Sequence, residues 1–325
     1  MRRLVVVVWL GSAAACGGAV TETVAPTDAS AISGAADFGP WTATVDAGHP
    51  LIGVAWSPAD NRALTRAEAE QRLAAARFVL LGETHDHPDH HRLQGELIQG
   101  LIAAGMGPAV AYEMLDAERQ ADIDAFSGSV DAFAELVDWA NSGWPEWSLY
   151  RPAFAPAIEA KLPIFAAQFT RSQAKRFSTE GLAMLDPATV SRYELDVPLP
   201  PELQGPLLDE MFTSHCEMVP REELGGMVEI QRVRDAIMAD AMLRGAEARG
   251  QVVLVAGTGH TRDVAVPRLL QMTGAAPEKI ASVGFTAVDP ERLEASDYGD
   301  DHNILVFTPG LEREDPCAAF RKQPG

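Results

Sequence analysis

Short apolar runs alternate with longer stretches of helical periodicity through most of this chain. Arg77-Phe78-Val79-Leu80-Leu81 stops at Gly82, and Ala109-Val110-Ala111-Tyr112 stops at Glu113. Leu162-Pro163-Ile164-Phe165-Ala166, Val252-Val253-Leu254-Val255-Ala256, Ile280-Ala281-Ser282-Val283-Gly284-Phe285 and Asn303-Ile304-Leu305-Val306-Phe307 have the same character. Apolar runs without polar alternation suit strands buried on both faces. Between them, His90 to Ile102 sets Leu93, Leu97, Ile98, Leu101 and Ile102 on one helical face, and Gly105 and Gly107 close it. Further helices are expected around Pro152 to Ala160 and over Asp131 to Asn141. From residue 172 to about residue 248 no convincing strand appears. Leu203 to Cys216 and Glu223 to Ala248 read as helices there, the second with Ile230, Val233, Ile237 and Ala241 on one face. The pattern predicts an α/β fold: a three-layer parallel sheet with an inserted helical subdomain.

The first residues read as a processing signal. Arg2 and Arg3 precede a short apolar run, Leu4 to Leu10, too short to span a bilayer. Ser12-Ala13-Ala14-Ala15 then leads to Cys16, which resembles a bacterial lipobox, where the thiol is acylated with a chain such as palmitate and the peptide is cut before it. Residues 1–16 are therefore expected to be a lipoprotein signal, 17–48 a flexible tether rich in Ala, Thr, Ser, Gly and Pro, and 49–316 the α/β domain. Gly17, rather than aspartate, points to an outer-membrane anchor. In an oxidising compartment Cys216 and Cys317 are expected to form a disulfide, with two free buried thiols as the alternative. The net charge of -20 opposes nucleic-acid binding but not a cationic ligand or a metal.

Two runs end in the same turn. Leu81-Gly82-Glu83-Thr84-His85 and Ala256-Gly257-Thr258-Gly259-His260 are each a buried strand closed by Gly-x-x-His. Parallel strands open their C-terminal ends on one edge, where ligands bind. Glu83, His85, Glu113 and His260 could meet there, as ligands for a divalent metal of the zinc or manganese type or as an acid–base set. The bland alternative is that each histidine caps a helix or bonds a carbonyl. Histidines crowd the first turn, with His85, His87, His90 and His91 making half of the eight in the chain. His90 is expected to face inward, and His87 and His91 are expected on a solvated cap. Trp139, Trp144, Trp147 and Tyr150 read as packing around a loop or as one wall of a site for a flat ligand.

These motifs resemble the ChaN-like haem-binding family. The resemblance rests on Leu81-Gly82-Glu83-Thr84-His85, Tyr112-Glu113-Met114, Trp144 with Trp147, Tyr150-Arg151-Pro152, Gln231, Asp235, Met238-Ala239, and Gly257-Thr258-Gly259-His260 followed by Val266-Pro267. It implies a haem cofactor and a role in iron uptake at a bacterial surface, with a homodimer among the expected partners. Axial ligands would come from His87, His91, Tyr112, Tyr150 or Tyr193, with His87, Tyr150 and His91 foremost. The wider superfamily contains Tiki-type metalloproteases and erythromycin-esterase-like proteins. That resemblance implies an alternative, a metal-dependent hydrolase using Glu83, His85, Glu113 and His260. No Gly-x-Ser-x-Gly elbow is present, which argues against a serine hydrolase.

Overall fold

The computed structural model describes residues 38–315, 317 and 318. The expected signal, Cys16 and residues 17–37 of the expected tether lie outside them. Eight strands make one sheet: β1 (Ala55–Ser57), β2 (Arg62–Leu64), β3 (Phe78–Glu83), β4 (Ala109–Asp116), β5 (Ile164–Gln168), β6 (Val252–Gly257), β7 (Ile280–Ala287) and β8 (Ile304–Thr308). Their order is β2-β1-β8-β7-β3-β6-β4-β5. The six apolar runs of the sequence are the six parallel strands. The sheet is not wholly parallel, because β1 pairs antiparallel with both β8 and β2. These two strands are only three residues long, too short for a pattern to announce them.

Alternate residues of each strand feed opposite cores. Val79 and Leu81 of β3 join Val253 and Val255 of β6 beneath the helices Pro88–Ala103 and Trp147–Glu159. Phe78 and Leu80 join Val252 and Leu254 on the other face, beneath Gly225–Arg249 and Val266–Met272. All these side chains are within 2% of full burial, and each contributes about 1.5–3 kcal/mol by leaving water. The segment from Arg171 to Arg249 is helical, as the missing strand pattern predicts. The helix expected over Asp131 to Asn141 is broken: Val130–Leu136 and Trp139–Ser142 are separated at Asp138, which takes a left-handed φ of 53°.

Residues 38–48, expected at the end of the tether, are already folded onto the domain. Phe38 is 1% exposed. The backbone N–H groups of Thr42 and Ala43 donate to the buried Asp89 carboxylate at 2.9–3.0 Å, and Val45 pairs with Gly310. At the other end, Cys317 is joined to Cys216 by a disulfide, and Arg313 forks onto both oxygens of Asp86.

Sheet topology fixes where a ligand can enter. β3 and β6 are neighbours, yet the helix after β3 packs on one face and the helix after β6 on the other. Their C-terminal ends therefore part, and this is the switch point where an open α/β sheet leaves a crevice. The helix after β3 is held close by a glycine. Pro156 has no N–H, so the carbonyl of Pro152 lacks its partner within the helix Trp147–Glu159. That oxygen faces Gly95, where a Cβ would stand only 2.1 Å from it. Gly95→Ala is expected to destabilise the protein by about 1–3 kcal/mol through overpacking, despite better helix propensity. In the same helix a Cβ at Gly100 would meet only Glu70, at 3.7 Å. Gly100→Ala is expected to stabilise by about 0.5–1 kcal/mol. Urea denaturation of the two variants should move in opposite directions, and shifts of the same sign would refute the contact argument.

Candidate functional site

The end of β3 carries a buried carboxylate. Glu83 is 1% exposed. Its Oε1 accepts from the Tyr150 hydroxyl at 2.8 Å and lies 2.9 Å from His85 Nδ1. Its Oε2 lies 2.9 Å from His91 Nδ1. The other nitrogen of His91 donates to the His85 carbonyl at 3.1 Å. Both ring nitrogens of His91 thus face oxygen acceptors, Nδ1 also lying 3.3 Å from Gln94 Oε1, an arrangement that favours the protonated ring. Burial opposes that charge, but the Glu83 carboxylate outweighs it and raises the His91 pKa. Burial likewise works against the Glu83 charge, and His91 and His85 overcome it, holding its pKa below the carboxylate range.

The rest of the histidine-rich turn is a support. His90 Nδ1 accepts from the Thr84 N–H at 2.9 Å and its Nε2 lies 3.1 Å from Thr308 Oγ1. Burial keeps His90 neutral, with its pKa well down. His87 stacks on it at 3.8 Å and donates to the Pro309 carbonyl at 2.8 Å. The solvated cap expected for His87 and His91 is therefore corrected: both are fully buried, because their rings satisfy backbone and carboxylate groups inside the turn. Tyr150 is also fully buried and spends its hydroxyl on Glu83. In this arrangement His91 and Tyr150 have their polar atoms engaged, and His87, whose Nδ1 makes no hydrogen bond among the described residues, is fully buried away from the surface. Tyr112 and Tyr193 are buried too, bonded to the Ala153 carbonyl and to Asp240.

His85 differs from its neighbours. Its side chain is 42% exposed. Its Nδ1 is engaged by Glu83, and its Nε2 makes no hydrogen bond among the described residues. The ring packs edge-on against Trp144 at 4.9 Å and lies over Gly257, where a Cβ would stand 3.0 Å from Nε2. A side chain at position 257 would displace it.

The second turn forms a separate pair. Pairing of β4 with β5 is irregular between Tyr112 and Asp116, and its ladder with β6 ends at Tyr112. Glu113 is thereby released at the edge, and its Oε2 accepts from the Gly257 N–H at 2.8 Å. His260 Nε2 lies 3.6 Å from Glu113 Oε1, and its Nδ1 donates to Asp235 at 2.6 Å. Burial disfavours the charged ring, but Glu113 and Asp235 together raise the His260 pKa. Gln231, one turn before Asp235 on the same helix, also reaches His260, at 3.2 Å.

The four expected metal ligands consequently split into two pairs about Gly257. Among the described residues no three His, Cys, Asp or Glu side chains are disposed to hold a metal ion. Glu83 is turned toward Tyr150 and His91, Glu113 toward the Gly257 N–H and His260 toward Asp235, while His85 Nε2 stays unengaged. Asp235 and Gln231 are site residues that the pattern of strand ends could not reveal, because they come from the distant helix Gly225–Arg249.

A cleft of about 610 Å³ opens beside His85 and Glu113. Trp139, Trp144, Leu115, Val137, Phe169 and Met238 form its apolar walls. The aromatic group expected from the sequence is therefore both packing and wall: Trp147 and Tyr150 pack behind Trp139, at 5.1 and 5.0 Å.

Residues 69–270 match the family described as haem-binding uptake, Tiki superfamily, ChaN. The fold is that of ChaN of Campylobacter jejuni, whose structure shows cofacial haem binding: 22% identity, TM-score 0.60, covering 78% of this chain and 95% of that one. The type III effector HopBA1 aligns at 14% identity and TM-score 0.45, over 80% and 98% of the two chains. An erythromycin esterase mutant, EreC, aligns at 14% identity and TM-score 0.37, over 78% and 82%. No curated protein matches the sequence.

Glu83→Gln would leave the His91 charge buried without its counter-ion, which costs about 3–5 kcal/mol. The loss should depend on pH. His91 has a raised pKa in the folded state, so its contribution is complete below its ordinary value of 6.5 and fades as pH rises through the folded value. Glu83 has a lowered one, so its contribution is complete above 4.5 and fades as pH falls through the folded value. The gap between wild type and variant in urea denaturation should therefore be widest between pH 4.5 and 6.5. A gap that stays flat into alkaline pH would contradict the ion pair.

Proposed function

Because the chain belongs to the ChaN haem-binding uptake family of the Tiki superfamily, we propose that it binds haem in the cleft beside His85, as an exported lipoprotein serving iron uptake. The observation that carries this reading is the state of His85. It is the one histidine of the first turn with an exposed ring. Glu83 accepts its Nδ1 proton, which leaves the Nε2 lone pair unengaged. A carboxylate behind an imidazole fixes the tautomer and raises the basicity of the other nitrogen, the usual support of a metal-ligating histidine.

Haem needs an apolar wall and an axial donor; His85 offers the donor, and the apolar wall is one part of a cleft whose lining is otherwise more polar than apolar. Trp139, Trp144, Leu115, Val137, Phe169 and Met238 supply walls, and the cleft volume of about 610 Å³ falls within the range of small-molecule sites. His85 would hold the iron, Glu83 would orient the ring, and Trp144 would keep it from turning. The group itself supplies chelated, redox-active iron in a form that can be handed on. Cofacial binding, as in the Campylobacter jejuni protein, sets two haems face to face and accords with a homodimer joined across open clefts. The anchor would be the acyl chain on Cys16, in the outer membrane. Among the described residues no helix is long and apolar enough to cross a membrane.

Haemin added to the purified protein should give a saturable Soret shift at fixed stoichiometry. His85→Ala should weaken it at least tenfold, whereas Tyr193→Phe, buried against Asp240, should leave it unchanged. Burial lowers the His85 pKa, but the Glu83 hydrogen bond and the Glu113 charge raise it above the ordinary value. Protons therefore compete with iron, and affinity should rise as pH climbs through that raised value. Absence of any saturable shift would refute the reading; a shift untouched by His85→Ala would move the ligand elsewhere.

A further inference from the structure

Arginines on this acidic protein are mostly matched with carboxylates. Arg151 pairs with Asp131, Arg176 with Glu180, Arg232 with Glu229 and Arg262 with Glu210. Arg171 and Arg234 depart from that habit. Both line the cleft beside His85, and among the described residues neither makes an ion pair, a hydrogen bond or a ring contact. Arg268 is likewise unmatched, but it borders a different, small pocket beside Tyr193 and Leu269.

The two cleft arginines come from different elements. Arg171 opens the helix Arg171–Glu180, and its guanidinium lies 3.6 Å from where a Cβ of Gly143 would stand, next to Trp144. Gly143 has a φ of 85°, so the backbone here is both left-handed and bare. Arg234 sits on the helix Gly225–Arg249, one residue before Asp235, and opposes protonation of His260. The carboxylates that border the cleft do not neutralise them. Glu113 accepts from the Gly257 N–H, Asp116 from the Glu118 N–H and Asp138 from the Asn141 side chain.

We propose that Arg171 and Arg234 form an anion subsite that takes the carboxylates of the cleft's ligand. The ligand class is then a flat apolar body bearing two carboxylates. This rests on the haem reading above, in which those carboxylates are the propionates. A guanidinium matches a carboxylate with two parallel hydrogen bonds, which a point charge cannot do. The pair also answers an electrostatic problem: a dianion approaching a chain of net charge -20 is repelled unless fixed cations receive it. Trp139 and Trp144 would hold the apolar body while the two forks set its direction.

The test compares haemin with its dimethyl ester, which keeps the iron and the ring but has no carboxylates. Wild type should bind haemin about ten- to a hundredfold more tightly than the diester, the size of charged hydrogen bonds. Arg171→Gln with Arg234→Gln should erase that preference by weakening haemin alone, and Arg268→Gln should leave it intact. Equal affinity for the two porphyrins in wild type would overturn the subsite while the haem reading stood. So would a double variant that kept the preference. If neither porphyrin gives a saturable shift, the haem reading fails and the subsite falls with it. Unchanged circular dichroism and melting of the double variant would separate lost contacts from lost fold.

Discussion

A carboxylate inside a protein has to be neutralised where it stands, and Glu83 is neutralised by the turn that follows it. Leaving a buried ion without its partner costs several kcal/mol, close to the whole stability of an ordinary domain. The His91 imidazolium, the His85 ring and the Tyr150 hydroxyl meet that demand at 2.8–2.9 Å. Each comes from a different place: the helix after β3, the turn itself, and the helix Trp147–Glu159. One carboxylate therefore ties a strand end, a turn and two helices into one arrangement. The exposed face of His85 is what that arrangement leaves over.

The same economy of space governs the centre of the edge. β3 and β6 lie side by side while their following helices leave to opposite faces. Gly257 stands between the two histidine pairs, donating its N–H to Glu113 on one side and giving room to the His85 ring on the other. Any larger residue would push apart the groups that the parallel sheet brings together. Gly82 is bound in the same way on the neighbouring strand, where a Cβ would fall 2.1 Å from Thr261 Oγ1. The glycine of each Gly-x-x-His turn is thus a packing requirement at the strand end as much as a hinge.

Much of this was legible in the sequence, for a definite reason. Strands buried on both faces are written as unbroken apolar runs, and the turns after β3 and β6 carry matching residues. What could not be read was which histidines face water. His90 reads as inward-facing from its helical face, but His87 and His91, spaced i, i+4 near a helix start, look like a solvated or metal-binding pair. All three are buried because imidazole can also donate to a carbonyl, accept from an N–H, or carry a charge against Glu83. Those roles depend on Pro309, Thr308 and Thr84, and the first two are distant in the chain. The short β1 and β2 carried too few residues for a pattern. Asp138 takes a left-handed φ that periodicity does not foresee.

The helix Gly225–Arg249 shows how the two halves of the site communicate. Gln231 and Asp235, four residues apart, share one face and grip His260. Arg234 and Met238, also four apart, lie beside them and reach the cleft. The bond from Asp235 to His260 fixes the rotation of the helix against the end of β6. That rotation determines whether Arg234 points into the cleft or away from it. His260 is 5% exposed and is absent from the cleft wall. In the proposed haem site its part would accordingly be indirect: the second Gly-x-x-His turn holds the helix that carries Arg234, while the first carries the atom that would meet the iron.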